Sequence, residues 1–340
     1  SGDFDATLEC ASRFLTQWIS GSKVFEVETS GTTGPSKSIQ LKRKWMEISA
    51  LQTISILELY NENCFCCIPI NKLGGLMMIV RALAGGFNIK IVEPTSDPMV
   101  VLSPTHTFTL VSLVPYQLIK ILQNPESREK LNRFKIILLG GSDISASLLN
   151  EIQNLKPSVY HTFGMTETCS HIALKKLNNG AWQYFKPNPD ISIVTNESGL
   201  MSVKGFQTGS EWVHTSDIVK LNEDGTFDFI GRSDFAINSG GYKIHPEQVE
   251  QKLNAWLNQH YDINANYLVT SLKDELLGEK CILVGNKQLP ELWDTLIYMW
   301  REILEPYQIP KQFFKIEQLP INAGGKVDRK KLQEMVAAIG

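Results

Sequence analysis

A chain of 340 residues, 43% hydrophobic and 20% charged, has room for about two domains of ~100–200 residues and can bury a core without disulfide or metal staples. Thirty-three Lys and Arg against 36 Asp and Glu leave a net charge of −3, which excludes strong unaided attraction to nucleic acid or to an anionic membrane. Arg81 interrupts the best apolar run well short of the ~18 residues a membrane span needs. No signal peptide is read at the N-terminus, and the Ser1-Gly2 start without Met reads as a cloning scar. Six cysteines do not make a disulfide framework in a chain of this length, so we expect a reducing compartment and a cytoplasmic protein. Cys64 and Cys67 stand at C-x-x-C spacing but inside an apolar run with no second Cys/His pair, which reads as buried strand cysteines. No feature of the sequence indicates an oligomeric state.

Taken in chain order, alternation at 24–28 and again at 38–41 predicts two strands around a polar loop. Short apolar runs at 65–70, 87–92, 108–114, 135–140 and 158–163 predict strands, with helices at 76–83, 116–122 and 146–155 between them. That rhythm argues for a mostly parallel sheet covered on both faces, with ligands at the carboxyl ends of its strands. The glycine turns at Gly140-Gly141 and Phe163-Gly164 fall at such ends. Runs at 201–204, 212–214, 218–221 and 227–230, separated by turn signals, predict a small antiparallel unit. The pattern changes at Asp234. A helix at 246–257 opens with Pro246 and Glu247, followed by strands near 266–271 and 280–285 and a helix near 291–304. The expected fold class is α/β: a large N-terminal domain (1–233) with mostly parallel sheets and a small β unit, truncated at its start, and a smaller, mobile α+β C-terminal domain (234–340).

The densest chemical signal is Thr29-Ser30-Gly31-Thr32-Thr33-Gly34-Pro35-Ser36-Lys37-Ser38, with six hydroxyls, two glycines and one lysine in ten residues. Glycines let main-chain amides turn toward an anion, hydroxyls donate further hydrogen bonds and Lys37 adds charge, a combination suited to polyphosphate. It is not a Walker loop: Ser36 replaces the second glycine, and the context is strand–loop–strand where a Walker loop runs from strand to helix. Taken alone, the run also fits a solvated Ser/Thr turn.

This loop resembles the phosphate loop of the adenylate-forming superfamily of acyl-CoA synthetases, firefly luciferase and nonribosomal peptide adenylation domains, and further signatures follow in that family's order. Phe163-Gly164-Met165-Thr166-Glu167 resembles its Tyr-Gly-x-Thr-Glu, Thr215-Ser216-Asp217 its Thr-Gly-Asp, and Gly231-Arg232-Ser233-Asp234 its Gly-Arg-x-Asp. Asn238-Ser239-Gly240-Gly241-Tyr242-Lys243 is similar to its glycine-rich loop, and Gly324-Gly325-Lys326-Val327-Asp328-Arg329 to its C-terminal Gly-Lys loop. The resemblance implies ATP, Mg²⁺ and CoA as the ligands and a small-molecule carboxylic acid as the substrate. It implies that Thr166 touches phosphate, that Glu167 holds Mg²⁺, and that Lys326 bridges the substrate carboxylate and the α-phosphate. Gly140, Gly141, Phe163, Gly164, Asp217 and Arg232 would hold the base and ribose, with the Phe163 ring free to stack on adenine. Asp234 would be the hinge, and Gly240 and Gly241 would line the CoA channel. Against these roles stand blander readings: a helix N-terminus capped by Thr166, a surface-turn Asp217, a tight hairpin at Gly240-Gly241.

The run from Gly164 to Leu174 is similar to the corresponding run of o-succinylbenzoate–CoA ligases of menaquinone synthesis, short forms of which fit the abbreviated start. That acid carries a second carboxylate, for which Lys72, Arg81 and His171 are the candidate partners. His171 also fits a helix-surface histidine, and Lys72 stands where many relatives have His. The expected function is an ATP-dependent acid–thiol ligase for o-succinylbenzoate. The alternatives are a ligase for another acyl or aryl acid, a nucleotide-binding protein with a dead site, and a P-loop kinase or ATPase, the last weakened by the strand–loop–strand context.

Overall fold

The computed structural model describes residues 2–28, 38–103, 105–261, 267–321 and 327–339, those at 2–5 and 28 by backbone alone. Helix α1 (Gly2–Ile19) precedes a hairpin of β1 (Val24–Glu28) and β2 (Ser38–Lys42), paired antiparallel from Val24↔Lys42 to Glu28↔Ser38. Strand alternation turns Phe25, Val27 and Leu41 inward. There the rings of Phe14 and Trp18 meet Phe25 at 5.0 and 5.3 Å between centroids. This is the strand–loop–strand arrangement expected around the hydroxyl-rich segment. The segment itself lies outside the described residues, and with it Thr29, Ser30, Gly31, Thr32, Thr33, Gly34 and Lys37.

The next stretch runs α2 (Arg43–Ile56), β3 (Asn63–Cys66), α3 (Leu73–Gly85), β4 (Asn88–Ile91), β5 (Leu110–Leu113), α4 (Pro115–Gln123), α5 (Pro125–Leu131), β6 (Ile136–Leu139), α6 (Ala146–Gln153), β7 (Ser158–Met165), β8 (Ser170–Lys176) and β9 (Lys186–Pro187). Its strands form one sheet in the order β4-β3-β5-β6-β7-β8-β9, parallel as far as β7 and antiparallel beyond it. Helices cover both faces, so the central strands read as unbroken apolar runs, as in Leu110–Leu113, buried throughout. Along the β3 run Cys64 and Cys66 enter one core while Phe65 and Cys67 enter the other. Cys64 and Cys67 thus face opposite sides of the sheet and cannot share an ion.

A second sheet, β10 (Ser192–Thr195), β11 (Leu200–Lys204), β12 (Val213–Leu221) and β13 (Phe227–Arg232), is antiparallel in that order. The runs at 212–214 and 218–221, expected as two strands, are one strand, β12. The Thr215-Ser216-Asp217 motif therefore sits mid-strand, just before a register shift at Ile218/Val219. The remainder is β14 (Ile237–Ser239), β15 (Tyr242–Ile244), α7 (Pro246–Tyr261), β16 (Leu268–Asp274), β17 (Gly278–Gly285), α8 (Trp293–Trp300), β18 (Gln312–Lys315) and α9 (Arg329–Ile339). These strands form their own sheet, β15-β14-β17-β16, with β18 parallel to β17. The core clusters made of residues up to Phe229 share no member with those that begin at Ile237.

Candidate active site

Six of the expected site residues, Gly140, Gly141, Phe163, Gly164, Thr166 and Glu167, lie where β6 and β7 end. Gly140 follows β6, and a Cβ there would lie 2.4 Å from Thr162 Oγ1; Gly141 takes φ +100, which favours glycine. The Gly140–Ser142 turn is tied to β7 by His161, hydrogen-bonded to the Ser142 main chain. Burial, aided by Lys175, pushes this imidazole down to about 4, so it is neutral at pH 7. Composition and spacing carry no signal for His161. At Gly164 the backbones of β7 and β8 come so close that a Cβ would sit 2.2 Å from the Ser170 carbonyl oxygen. No residue but glycine fits there without moving β8.

Thr166 and Glu167 stand on a short 3₁₀ turn, Thr166–Thr168, rather than at the start of an α-helix. The buried Thr168 hydroxyl closes the turn, accepting from Met165 N–H at 3.0 Å. Cys169 and Ser170 then take φ +52 and +96, strained values for side-chain-bearing residues, and the chain reverses into β8. Glu167 is left exposed at the open end of the strands. Among the described residues no group of three or more His, Cys, Asp or Glu could hold a metal ion. A divalent ion that takes its remaining ligands from phosphate and water fits the single Glu167 carboxylate.

Phe163 is half-buried among other aromatic rings. It packs on Phe185, Phe227 and Phe229 at 5.5, 5.1 and 5.7 Å, edge-on to Phe227. That cluster ties the end of β7 to β13, where Arg232 pairs in register with Asp217 of β12. Arg232 Nη1 donates to Asp217 Oδ1 at 3.2 Å and Nη2 to Asp234 Oδ2 at 2.7 Å. Burial alone would lower the guanidinium's pKa; Asp234 and Asp217 outweigh it and hold the charge more firmly than usual. The expected ribose pair and the expected hinge are thus one ion network.

The three candidates for a distal carboxylate separate. Lys72 caps the start of α3, nine residues and about 13 Å of helix from Arg81. Arg81 and His171 meet. Arg81, 3% exposed, donates from Nη2 to Ser170 Oγ at 3.1 Å and to His171 Nδ1 at 3.4 Å. Because the guanidinium only donates, Nδ1 accepts, and Nε2–H is left to donate to Thr53 Oγ1 at 3.1 Å. Thr53 in turn donates to the Ser49 carbonyl at 3.0 Å. Burial, with Arg81 adding to it, holds His171 well below the usual imidazole range, so it is neutral; it lies on β8, not on a helix surface. Arg81 is pushed down to about 10 by burial, nearby thiols opposing, and stays charged at pH 7. No carboxylate among the described residues pairs with it, and Arg81 Nε, Ser49 Oγ, Gln52 Oε1 and Asn188 Oδ1 are buried without hydrogen-bond partners. Thr53 and Gln52 gave no signal in the sequence.

Gly240 and Gly241 form the β14–β15 turn with φ +57 and +86. The only described atom within 4 Å of where a Gly240 Cβ would stand belongs to Leu277, and Gly241 faces open space. Lys326 lies outside the described residues. The residues flanking it are fixed: Ile321 bridges to Val327, Asp328 N–H donates to the Pro320 carbonyl at 2.8 Å, and Arg329 forms a bidentate pair with Glu250 at 2.7 and 2.8 Å.

Comparison with known proteins identifies the family. The family model of AMP-binding enzymes matches residues 28–220. A 2-succinylbenzoate–CoA ligase of Staphylococcus epidermidis is 27% identical over 90% of this chain and 68% of that protein; one from Bacillus anthracis is also 27% identical, over 91% and 69%. Among solved structures, an acyl-CoA synthetase (AMP-forming)/AMP-acid ligase II-like protein from Dyadobacter fermentans is 32% identical, covers 97% of this chain and 94% of that one, and superposes with a TM-score of 0.65. The o-succinylbenzoate coenzyme A synthetase (MenE) of Bacillus subtilis, in complex with ATP and magnesium ion, is 25% identical over 90% of this chain and 69% of that one, with a TM-score of 0.73. The chain belongs to the AMP-binding enzyme family. In reaction class it is an adenylate-forming ligase, an AMP-forming acid–CoA ligase.

Proposed function

We propose that the chain joins o-succinylbenzoate to CoA through an acyl-adenylate. One carboxylate attacks the α-phosphorus of ATP and pyrophosphate leaves with the bonding electron pair. The CoA thiolate then adds to the acyl carbon and AMP departs. The 29–37 loop and Thr166 hold the phosphates, and Asp217 and Arg232 hold the ribose, Asp217 accepting from its hydroxyls. Gly140 and Gly141 border the base. Mg²⁺, carried in with ATP and held by Glu167, screens phosphate charge. Lys326 orients the attacking carboxylate and neutralises charge that grows in the transition state.

The observation that carries the choice of acid is Arg81. A buried guanidinium without a carboxylate costs several kcal/mol unless an anion completes it. Its neighbours Ser170 and His171 stand directly against Gly164, beside the Thr166–Glu167 turn. A second carboxylate on the substrate completes that site, as the names of the related ligases suggest. We further propose a division at Asp234, with residues 1–233 and 234–340 as two units that reorient between the half-reactions. The Arg329 segment, three residues past Lys326, faces Asp143 of the β6–α6 turn, which supports reading this orientation as the adenylating one.

Thioester formation over a panel of acids tests the assignment. We expect kcat/KM for o-succinylbenzoate to exceed that for an analogue that keeps the reacting carboxylate but lacks the second by about 10²-fold, the worth of one charge-assisted contact of ~1.5–3 kcal/mol. Equal turnover of a monocarboxylate analogue would reject the second-carboxylate site.

A further inference from the structure

The boundary between the two proposed units carries a charge imbalance that the adenylation chemistry does not use. Gly231, next to Arg232 at the end of β13, has φ +156, and a Cβ there would lie 2.6 Å from Glu247 Oε2 and 3.4 Å from the His245 Cβ. Glu247, in the first turn of α7, is thus pressed against the other unit's backbone. Its side chain is 8% exposed, Oε1 lies 3.7 Å from Arg329 Nε, and Oε2 is buried with no hydrogen-bond partner. Arg329 is already committed. Its two Nη groups bind Glu250, and its guanidinium lies over Phe235 at 5.6 Å. The groups facing Glu247 are therefore Arg329 from α9, Glu250 from α7 itself, Asp143 from the β6–α6 turn, Arg232 from β13 and the neighbouring His245. Helix α6 packs on α7 across the same boundary.

We propose that Glu247 is a proton-linked latch: as the neutral acid it lets the C-terminal unit dock against Gly231, and loss of its proton favours release of that unit. This rests on the two-unit reading above and adds to it what sets the balance between the orientations. An ionised carboxylate in this place keeps one oxygen buried and unpartnered, beside two further carboxylates. Glu247 acts through the placement of Lys326 and is a positioning residue.

Burial pushes the docked Glu247 carboxyl up to about 7, with Arg329 opposing and Glu250 and Asp143 adding. Released into water it returns to an ordinary carboxylate value of about 4.5. A group whose pKa is raised in the docked state supports docking fully at low pH and withdraws that support as pH rises through the docked value. Docking therefore weakens by about tenfold between about pH 6 and pH 8. His245, held below its usual range by burial and by Lys243, stays neutral across that window.

The test uses the full chain without substrate. Spin labels on the half-exposed Cys10 and on Leu276→Cys, which is 94% exposed in the wild type, report the separation of the units; the other cysteines are buried. We expect the docked distance to give way with rising pH around neutrality, and Glu247→Gln to keep it through pH 8. A distance distribution that ignores pH, or a Glu247→Gln protein that shifts with the wild-type midpoint, overturns the proposal. If Glu247→Gln does not fold, Asp143→Asn serves in its place: removing one facing carboxylate makes the ionised docked form less unfavourable and must raise the pH at which docking is lost, and an unmoved midpoint overturns the latch. Acid-dependent adenylate formation by the same labelled protein reports on the reaction separately, so failure of one reading is not mistaken for failure of the other.

Discussion

Lys326→Ala is expected to lose acid-dependent ATP–pyrophosphate exchange by about 10²–10³-fold, the usual cost of removing one preorganised charge stabiliser, and to convert supplied acyl-adenylate to thioester at an undiminished rate. In the proposed role the lysine acts in the first half alone, where charge builds between the attacking carboxylate and the α-phosphate. It is delivered from a fixed base: the Ile321–Val327 bridge and the Arg329–Glu250 pair hold the flanking residues on either side. Replacing a lysine by alanine disturbs none of those contacts. Single-turnover measurements of the two halves separate the outcomes, and equal loss in both would contradict the assigned role.

Arg81→Met is expected to cut kcat/KM for o-succinylbenzoate by about 10²-fold or more while leaving a monocarboxylate analogue nearly unchanged. The same substitution should leave the melting temperature level or raised, because an apolar side chain of similar length replaces a buried cation that no carboxylate among the described residues compensates. The opposite signs distinguish recognition from architecture. If Arg81 served only to brace β8 through Ser170 and His171, the protein would melt earlier and both acids would suffer together.

The parts legible in the sequence were those in which local pattern and tertiary role coincide. Strands β3, β5 and β6 are covered on both faces, so their apolar runs stand out, and the β1–β2 hairpin shows because one of its faces is buried. Helices α1, α2 and α5 were not anticipated: their apolar stripes are diluted by polar residues that only packing reveals as outward-facing. Strand β8 was obscured because Thr166-Glu167 imitates a helix start. The left-handed Cys169 and Ser170 that turn the chain back have no signature in residue type. His171 consequently passes from a helix surface to a buried strand position. Among Lys72, Arg81 and His171, residue chemistry nominated all three, and only the register of α3 against β8 joins two of them. Phe163 carries a contact that residue type alone did not show: its ring joins two sheets.

The central claim is that the chain transfers AMP to a carboxylate. Incubating it with MgATP and o-succinylbenzoate in the absence of CoA, and resolving the products by mass spectrometry, addresses that claim most directly. An acyl-adenylate and pyrophosphate in equal amounts, both dependent on the acid, is the predicted result. Release of ADP and orthophosphate, or AMP formation indifferent to the acid, would contradict it.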